Sequence, residues 1–188
     1  PAPMPEPEAA DFVRVQEYLP DILVDLKYAG AENFTGQAVY DFTDAYLRYG
    51  TVQKLSSALD ILMDQGYTLL IWDAFRPTQA QFRLWEICPD PVYVANPETG
   101  FSSHSRGNTV DLTLAALDGE PVEMPTDFDD FSPLADRDYS DVPASAAANA
   151  QLLEDVLTAC GFQPYTGEWW HFSDLDNYPV EESWSPPK

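Results

Sequence analysis

Alternating apolar and polar positions predict two half-buried strands in this chain. Apolar side chains recur at every second residue of segment 21–28, and the same alternation runs through segment 109–115. Because successive side chains of a strand point to opposite faces, Asp111 should point away from the apolar layer that Val110 and Leu112 form. Two further apolar runs are typical of short buried strands: 67–75 and 169–172.

Helical spacing of apolar residues predicts three helices. They span residues 51–65, 78–87 and 145–160. Gly66 and Gly161 follow the first and the last of these segments, where a glycine commonly ends a helix. In the middle helix, Phe82, Trp85 and Ile87 are expected to face inward.

The remaining segments are turns and loops that join these elements within one unit. Asp118-Gly119 is a strong hairpin signal, and residues 121–124 are predicted to form the short return strand. Internal repeats are absent, and a length of 188 residues suits one domain. The sequence therefore predicts a single α+β domain, a small, mostly antiparallel sheet packed with helices.

The first ten residues differ from the rest of the chain. Residues 1–10 (PAPMPEPEAA) are rich in proline and glutamate and lack apolar periodicity, which predicts a disordered linker ahead of a domain at 11–188. Such a linker often joins a folded domain to something upstream. Export or anchoring at the cell envelope is therefore expected, with a cytoplasmic location as the alternative. No apolar run approaches the ~20 residues of a membrane-spanning helix.

The net charge of the chain argues against some classes of binding partner. Nine basic residues against 32 acidic ones give a net charge of −23 at pH 7. Such a surface repels the phosphates of nucleic acids and anionic lipids, but it is compatible with a small zwitterionic substrate.

Cys88 and Cys160 belong to no CxxC pair, so the sequence is compatible with two free thiols and equally with one disulfide. The oligomeric state is open as well.

The two histidines of the chain lie in clusters that indicate metal chemistry. His104 precedes Asp111 by seven residues in the segment SSHSRGNTVD, and His171 ends the tetrapeptide EWWH, which begins with Glu168. Two imidazoles and one carboxylate form a three-ligand zinc site with one open position. A nearby glutamate is what such a site needs to move a proton of water. The sequence therefore indicates a zinc hydrolase.

Whether Glu168 and His171 can serve one site depends on the backbone between them. Residues three apart on an ideal strand face opposite sides, so Glu168 and His171 serve one site only if the chain bulges or turns between them. Otherwise Glu168 is solvated and the two tryptophans are core residues.

Arg76 lies between an apolar run and Pro77, where a guanidinium near a metal could stabilise an oxyanion. A surface or ion-pair role for Arg76 is the alternative.

Four motifs, taken in order, resemble those of the D-alanyl-D-alanine dipeptidases, zinc peptidases of the VanX type. The family pattern SxHxxGxAxD is matched at Ser102, His104, Gly107 and Asp111, with Thr109 where the family has alanine. The resemblance runs from about residue 13 to the end of the chain. The other three motifs are NFTG at 33–36, WDAFRP at 72–77 and GEWWHF at 167–172.

The resemblance implies a role for each matching position near the metal. His104, Asp111 and His171 would bind one zinc ion at the sheet. Glu168 would act first as the general base and then as the general acid. Arg76 would stabilise the oxyanion that develops in the reaction.

The resemblance also implies a substrate. Ser102, Tyr28 and Asp129 match positions that hold the ammonium end of the substrate, and Thr109 adds a hydroxyl and a methyl group beneath the metal. The implied reaction is the hydrolysis of the dipeptide D-alanyl-D-alanine to two D-alanines. One alternative is a D,D- or L,D-carboxypeptidase that trims longer cell-wall peptides. The other is a zinc-bearing binding domain without catalysis, because the signalling domain of hedgehog proteins resembles this fold.

Overall fold

Seven strands and four α-helices are present in the described part of the chain, residues 6–188 of the computed structural model. In chain order the elements are β1 (Phe12–Arg14), α1 (Val15–Tyr18), β2 (Leu23–Val24), β3 (Tyr46–Arg48), α2 (Tyr49–Met63), β4 (Tyr67–Asp73), α3 (Thr78–Ile87), β5 (Thr109–Ala116), α4 (Ala144–Ala159), β6 (Phe162–Pro164) and β7 (His171–Asp174). Short 3₁₀ turns lie at Lys27–Ala29, Ser103–Arg106, Pro133–Ala135 and Tyr139–Asp141.

Five of the strands form one sheet in the order β2-β4-β5-β7-β6. β2 runs parallel to β4, and the other three pairs of neighbours are antiparallel. β1 and β3 form a separate antiparallel pair. A single α+β domain with a mostly antiparallel sheet is therefore confirmed.

Apolar side chains of β4 and β5 form the centre of the core. Leu69 and Ile71 of β4 are fully buried and lie opposite Leu114 and Leu112 of β5. Helices α2 and α4 contact these strands and each other, and α2 buries apolar residues at helical spacing. Asp111 lies next to Leu112 on β5, so its side chain points to the opposite face of the sheet. That face is the one on which polar groups collect.

A register shift in β4 adds a second carboxylate to the polar face. Ile71 lies opposite Leu112, but Asp111, the residue before Leu112 on β5, lies opposite Asp73. Trp72 is therefore the extra residue of a bulge, which turns Asp73 to the same side as Asp111. The alternation of apolar residues in the sequence does not reveal this shift.

The predicted helices and central strands are confirmed as α2, α3, α4, β4 and β5. The predicted inward face of α3 is wrong at Phe82, which is 44% exposed, whereas Trp85 and Ile87 are partly buried against the core. The buried residues of α3 include Ala80, Gln81 and Leu84. Gln81 faces inward because its side chain accepts a hydrogen bond from the buried guanidinium of Arg76.

Three of the predicted strands are shorter than expected. Segment 21–28 pairs with β4 only at Leu23–Val24, because the chain then turns at Lys27–Ala29. The hairpin turn at Gly119 forms, but the return strand is reduced to one bridge between Ala115 and Pro121. The last strand begins at His171 instead of 169, and β1, β3 and β6 are elements that periodicity did not predict.

Three remaining expectations concern the ends and the thiols of the chain. Residues 6–10 contact the body of the domain, with the amide of Gly50 donating to the carbonyl of Ala9 (2.9 Å). Residues 1–5 of the predicted linker lie outside the described residues. Cys88 and Cys160 are free thiols. Within residues 6–188, none of the helices is both long enough and apolar enough to cross a membrane, and the expected export or anchoring stays a prediction.

Gly107 ends the 3₁₀ turn that carries His104, and we predict that Gly107→Ala destabilises the fold. Its φ of +76° favours glycine, and an added Cβ would lie 2.3 Å from Cε1 of Phe12. We expect the free energy of unfolding to fall by roughly 2–4 kcal/mol in urea denaturation, from the strained backbone and the overpacking together. Gly30→Ala is the control, because φ there is −126° and no atom lies within 4 Å of the added Cβ. Equal stabilities of the two variants would contradict this account.

Candidate active site

Two neighbouring strands and one turn bring the predicted metal ligands together. Asp111 on β5 lies directly opposite His171 on β7, and His104 reaches them from the turn Ser103–Arg106. Nε2 of His104 is 3.2 Å from Oδ2 of Asp111, and Nδ1 of His171 is 3.0 Å from Oδ1 of Asp111. One ligand atom from each residue lies within 4.8 Å of the other two. The geometry is that of three donors facing a common point.

The tautomer of His104 is set by the backbone. Its Nδ1 lies 2.9 Å from the carbonyl oxygen of Ala74, which only accepts hydrogen bonds, so Nδ1 carries the proton. In the neutral imidazole, which is the form that binds a metal, Nε2 then carries the lone pair. A histidine that donates its second N–H to a backbone carbonyl is the usual arrangement of a metal-binding imidazole.

The donor set fits a zinc ion. Oδ1 of Asp111 is buried and lacks a hydrogen-bond partner within the described part of the chain, which leaves it available as a ligand. Burial alone would raise the pKa of Asp111, but the imidazoles of His104 and His171 lower it below its usual range. Two nitrogens and one carboxylate oxygen match the ligand preference of zinc and leave a fourth position open.

Glu168 reaches the same point because the backbone turns before β7. The amide of His171 donates to the carbonyl of Glu168 (3.3 Å), which confirms the turn expected between these residues. Oε2 of Glu168 consequently lies 3.5 Å from Nδ1 of His171. Burial, with a further contribution from the carboxylate of Asp111, raises the pKa of Glu168 to about 7.

Arg76 is held in the wall of the site by three hydrogen bonds. Its guanidinium donates to Asp73 (2.7 Å), to Gln81 (2.9 Å) and to the hydroxyl of Tyr40 (3.3 Å). A guanidinium has five N–H donors, so two remain without a partner among the described residues. The hydroxyl of Tyr40 also donates to Asp73 (2.6 Å), which closes the network.

The sequence reasoning missed Asp73 and Tyr40. Asp73 is completely buried, and its Oδ2 lies 3.8 Å from Nδ1 of His104, so it stands between the arginine and a predicted metal ligand. One signal was present, since Asp73 is a charged residue inside the apolar run 67–75 and belongs to the motif WDAFRP, three residues before Arg76. No sequence signal pointed to Tyr40.

The three residues predicted to bind substrate also line the site. The hydroxyl of Tyr28 donates to Oδ2 of Asp129 (2.5 Å), and the guanidinium of Arg76 lies 5.3 Å from the centre of the Tyr28 ring. Burial raises the pKa of Asp129 to about 7. The hydroxyl of Ser102 accepts from the amide of His104 (3.3 Å), so it also caps the turn that carries this ligand.

All eight predicted site residues border one cavity of about 130 Å³. Sites for drug-sized ligands occupy roughly 300–1,000 Å³, so this cavity suits a much smaller molecule. Its rim is aromatic, because Phe131 packs against Tyr93 and Phe34 at ring separations of 4.8 and 5.4 Å. The cavity is lined by Tyr28, Phe34, Arg76, Leu84, Tyr93, Val94, Ala95, Ser102, His104, Asp111, Asp129, Phe131, Glu168 and His171.

Thr109 lies beside the site and does not line it. Its side chain is fully buried, and its hydroxyl is 2.8 Å from the hydroxyl of Ser173 on β7. The additional hydroxyl therefore joins β5 to β7 two residues from Asp111. An alanine at this position could not form that link.

Comparisons with known proteins show the family of this chain. Residues 8–185 match the family model Peptidase_M15, described as D-ala-D-ala dipeptidase. The chain is 38% identical over 175 residues to a D-alanyl-D-alanine dipeptidase of Escherichia coli, covering 92% of this chain and 90% of that protein. It is 37% identical over 191 residues to a D-alanyl-D-alanine dipeptidase of Streptomyces coelicolor, covering 87% and 91%. A solved structure titled VanYB in complex with D-Alanine-D-Alanine overlaps with a TM-score of 0.46 and 15% identity, covering 70% of this chain and 73% of that one. The chain belongs to the D-alanyl-D-alanine dipeptidase family.

Proposed function

We propose that this protein is a zinc-dependent dipeptidase that hydrolyses D-alanyl-D-alanine to two D-alanines. The observation that carries the proposal is the convergence of three metal-ligand side chains, a carboxylate and a buried guanidinium on one cavity of about 130 Å³. The family to which the chain belongs and the names of its relatives support the substrate.

The metal and Glu168 divide the chemistry between them. A zinc ion held by His104, Asp111 and His171 would supply a Lewis acid for the scissile carbonyl and lower the pKa of water toward ~7. Glu168 takes the proton of the attacking water and then passes it to the leaving amine. A carboxylate with a pKa of about 7 suits both transfers near neutral pH, because it accepts and releases a proton with little cost.

Arg76 stabilises the negative charge that develops on the carbonyl oxygen. Its two free N–H groups are the donors for this oxygen, and its contacts with Asp73, Gln81 and Tyr40 keep the guanidinium from moving. Donors that are fixed before the reaction cost no reorganisation during it. Asp73 therefore acts through Arg76.

Recognition of a free ammonium group separates a dipeptide from longer peptides. Asp129 places a half-buried carboxylate at the cavity, and Tyr28 and Ser102 lie beside it. An ammonium ion bound there would favour the ionised form of Asp129. A longer peptide has an uncharged amide at that position and loses this interaction.

Metal removal gives the first test. We expect the protein to bind one zinc per chain and to release D-alanine rapidly from D-alanyl-D-alanine. Chelation should abolish this release and added zinc should restore it, because the ion held by the three ligands activates the water and the carbonyl. L-alanyl-L-alanine and a pentapeptide ending in D-alanyl-D-alanine are the control substrates. Release from the pentapeptide would favour the carboxypeptidase alternative. Zinc binding without release from any substrate would favour the binding domain.

Glu168→Gln should abolish most turnover and leave the metal in place. The amide keeps the size of the side chain but cannot accept the proton of water, so we expect kcat to fall by about 10²–10⁴-fold. Glu86→Gln is the matched control, since Glu86 is an exposed glutamate on α3. Near-normal turnover by zinc-loaded Glu168→Gln would show that the base is another group.

Asp129→Asn should weaken binding of the dipeptide more than it slows the reaction. Loss of a hydrogen bond to a charged group corresponds to an increase in KM of roughly 10–150-fold. The preference for D-alanyl-D-alanine over its N-acetylated form should fall by a similar factor. Asp127→Asn serves as the control on the same loop, because Asp127 is exposed. An unchanged preference would contradict the role given to Asp129.

A further inference from the structure

The turn that carries Glu168 and His171 joins β6 to β7 over residues 165–170. The amide of Tyr165 donates to the carbonyl of His171 (3.1 Å) and closes the ends of the turn, but the hydrogen bonds made by Glu168 inside it are long. The amide of Glu168 donates to the carbonyl of Tyr165 at 3.5 Å, and the amide of His171 donates to the carbonyl of Glu168 at 3.3 Å. Bonds of this length contribute little, so the position of Glu168 within the turn depends also on contacts from other segments.

Arg137, in the segment between β5 and α4, supplies several of these contacts. Its Nε donates to the carbonyl of Tyr165 (2.6 Å), and its terminal nitrogen donates to the carbonyl of His171 (2.9 Å). Its own amide donates to the carbonyl of Thr166 (3.2 Å). One guanidinium therefore joins the two ends of the turn. The fork of a guanidinium suits this task, since it presents several donors in one plane.

Arg137 is itself held in one position. Its other terminal nitrogen donates to Glu154 of α4 and to the hydroxyl of Tyr139, both at 3.1 Å, and Tyr139 donates to Glu154 (2.7 Å). The guanidinium also lies over the ring of Phe172, 4.6 Å from its centre. The side chain is only 9% exposed. A charge-assisted contact with this little exposure is stronger than a surface ion pair.

We propose that Arg137 is a positioning residue that holds the turn so that Glu168 and His171 keep their places at the metal. The inference rests on the proposed function for Glu168, but for His171 it rests on the ligand geometry alone. A displacement of 1 Å at a reacting group can cost on the order of 10²-fold in rate. Loss of a partner that orients a metal ligand typically costs about 10–100-fold in affinity or activity.

The test compares Arg137→Lys and Arg137→Ala with the native zinc-loaded protein. Lysine keeps the charge near Glu154 but reaches one carbonyl instead of two, so both variants should lose function even if only the lysine variant folds well. We expect kcat to fall about 10–100-fold while KM changes less than about threefold, and the Kd for zinc to rise about tenfold. Kd for zinc is measured by competition with a coloured chelator. Arg14→Ala is the matched control, because Arg14 pairs with Asp44 and Glu17 on the surface.

A second measurement separates positioning from general stability. In a Glu168→Gln background, Arg137→Lys should lower kcat much less than in the native background, because Glu168, one of the two groups that it positions, no longer acts. The Kd for zinc should still rise, because His171 is positioned in both backgrounds. Equal losses of kcat in both backgrounds would overturn the positioning role, as would kcat and zinc affinity that both stay native. If the native protein hydrolyses no dipeptide, the proposed function fails. The proposal then depends on the zinc affinity, which must still fall in the lysine variant.

Discussion

The antiparallel pairing of β5 with β7 is the constraint on which the site depends. It sets Asp111 directly opposite His171, so that a carboxylate and an imidazole meet on the polar face of the sheet. A slip of one residue would turn the whole set of side chains on one strand to the other face. The apolar neighbours Val110 and Leu112 oppose such a slip, because they would leave the core. Packing of the core therefore fixes the geometry of the site.

The polar face concentrates negative charge that calls for bound cations. Asp111, Asp129 and Glu168 line one small cavity, and Asp73 lies behind it against Arg76. Burial, with repulsion between these carboxylates, raises the pKa of Glu168 and of Asp129. Arg76 is the one arginine or lysine among the described residues that line the cavity. A zinc ion and the ammonium group of a substrate would supply the remaining positive charge. The acidity of the site thus favours both the metal and a zwitterionic dipeptide.

Two arginines in and near this cavity are fixed by the same physical means. Arg76 is fixed by Asp73 on the side of β4, and Arg137 is fixed by Glu154 of α4. In each case a carboxylate orients the fork of the guanidinium, and the remaining donors act on the site or on its backbone. Arginine suits this use because it stays charged and binds in a plane. A rigid framework is what a general base and an oxyanion donor need.

The sequence by itself determined the elements with strong periodicity and the identities of the reactive groups. Three helices, the two central strands, the three metal ligands, Glu168 and Arg76 follow from local patterns and residue chemistry. Ser102, Tyr28 and Asp129 follow only from the resemblance to the dipeptidase family. Only the tertiary structure decided the bulge that turns Asp73 toward Asp111, the part played by Tyr40, and the contacts of Arg137 with the turn before β7. The reason is that periodicity reports on a residue's neighbours along the chain. Hydrogen bonds between distant segments depend on packing, which no local pattern encodes.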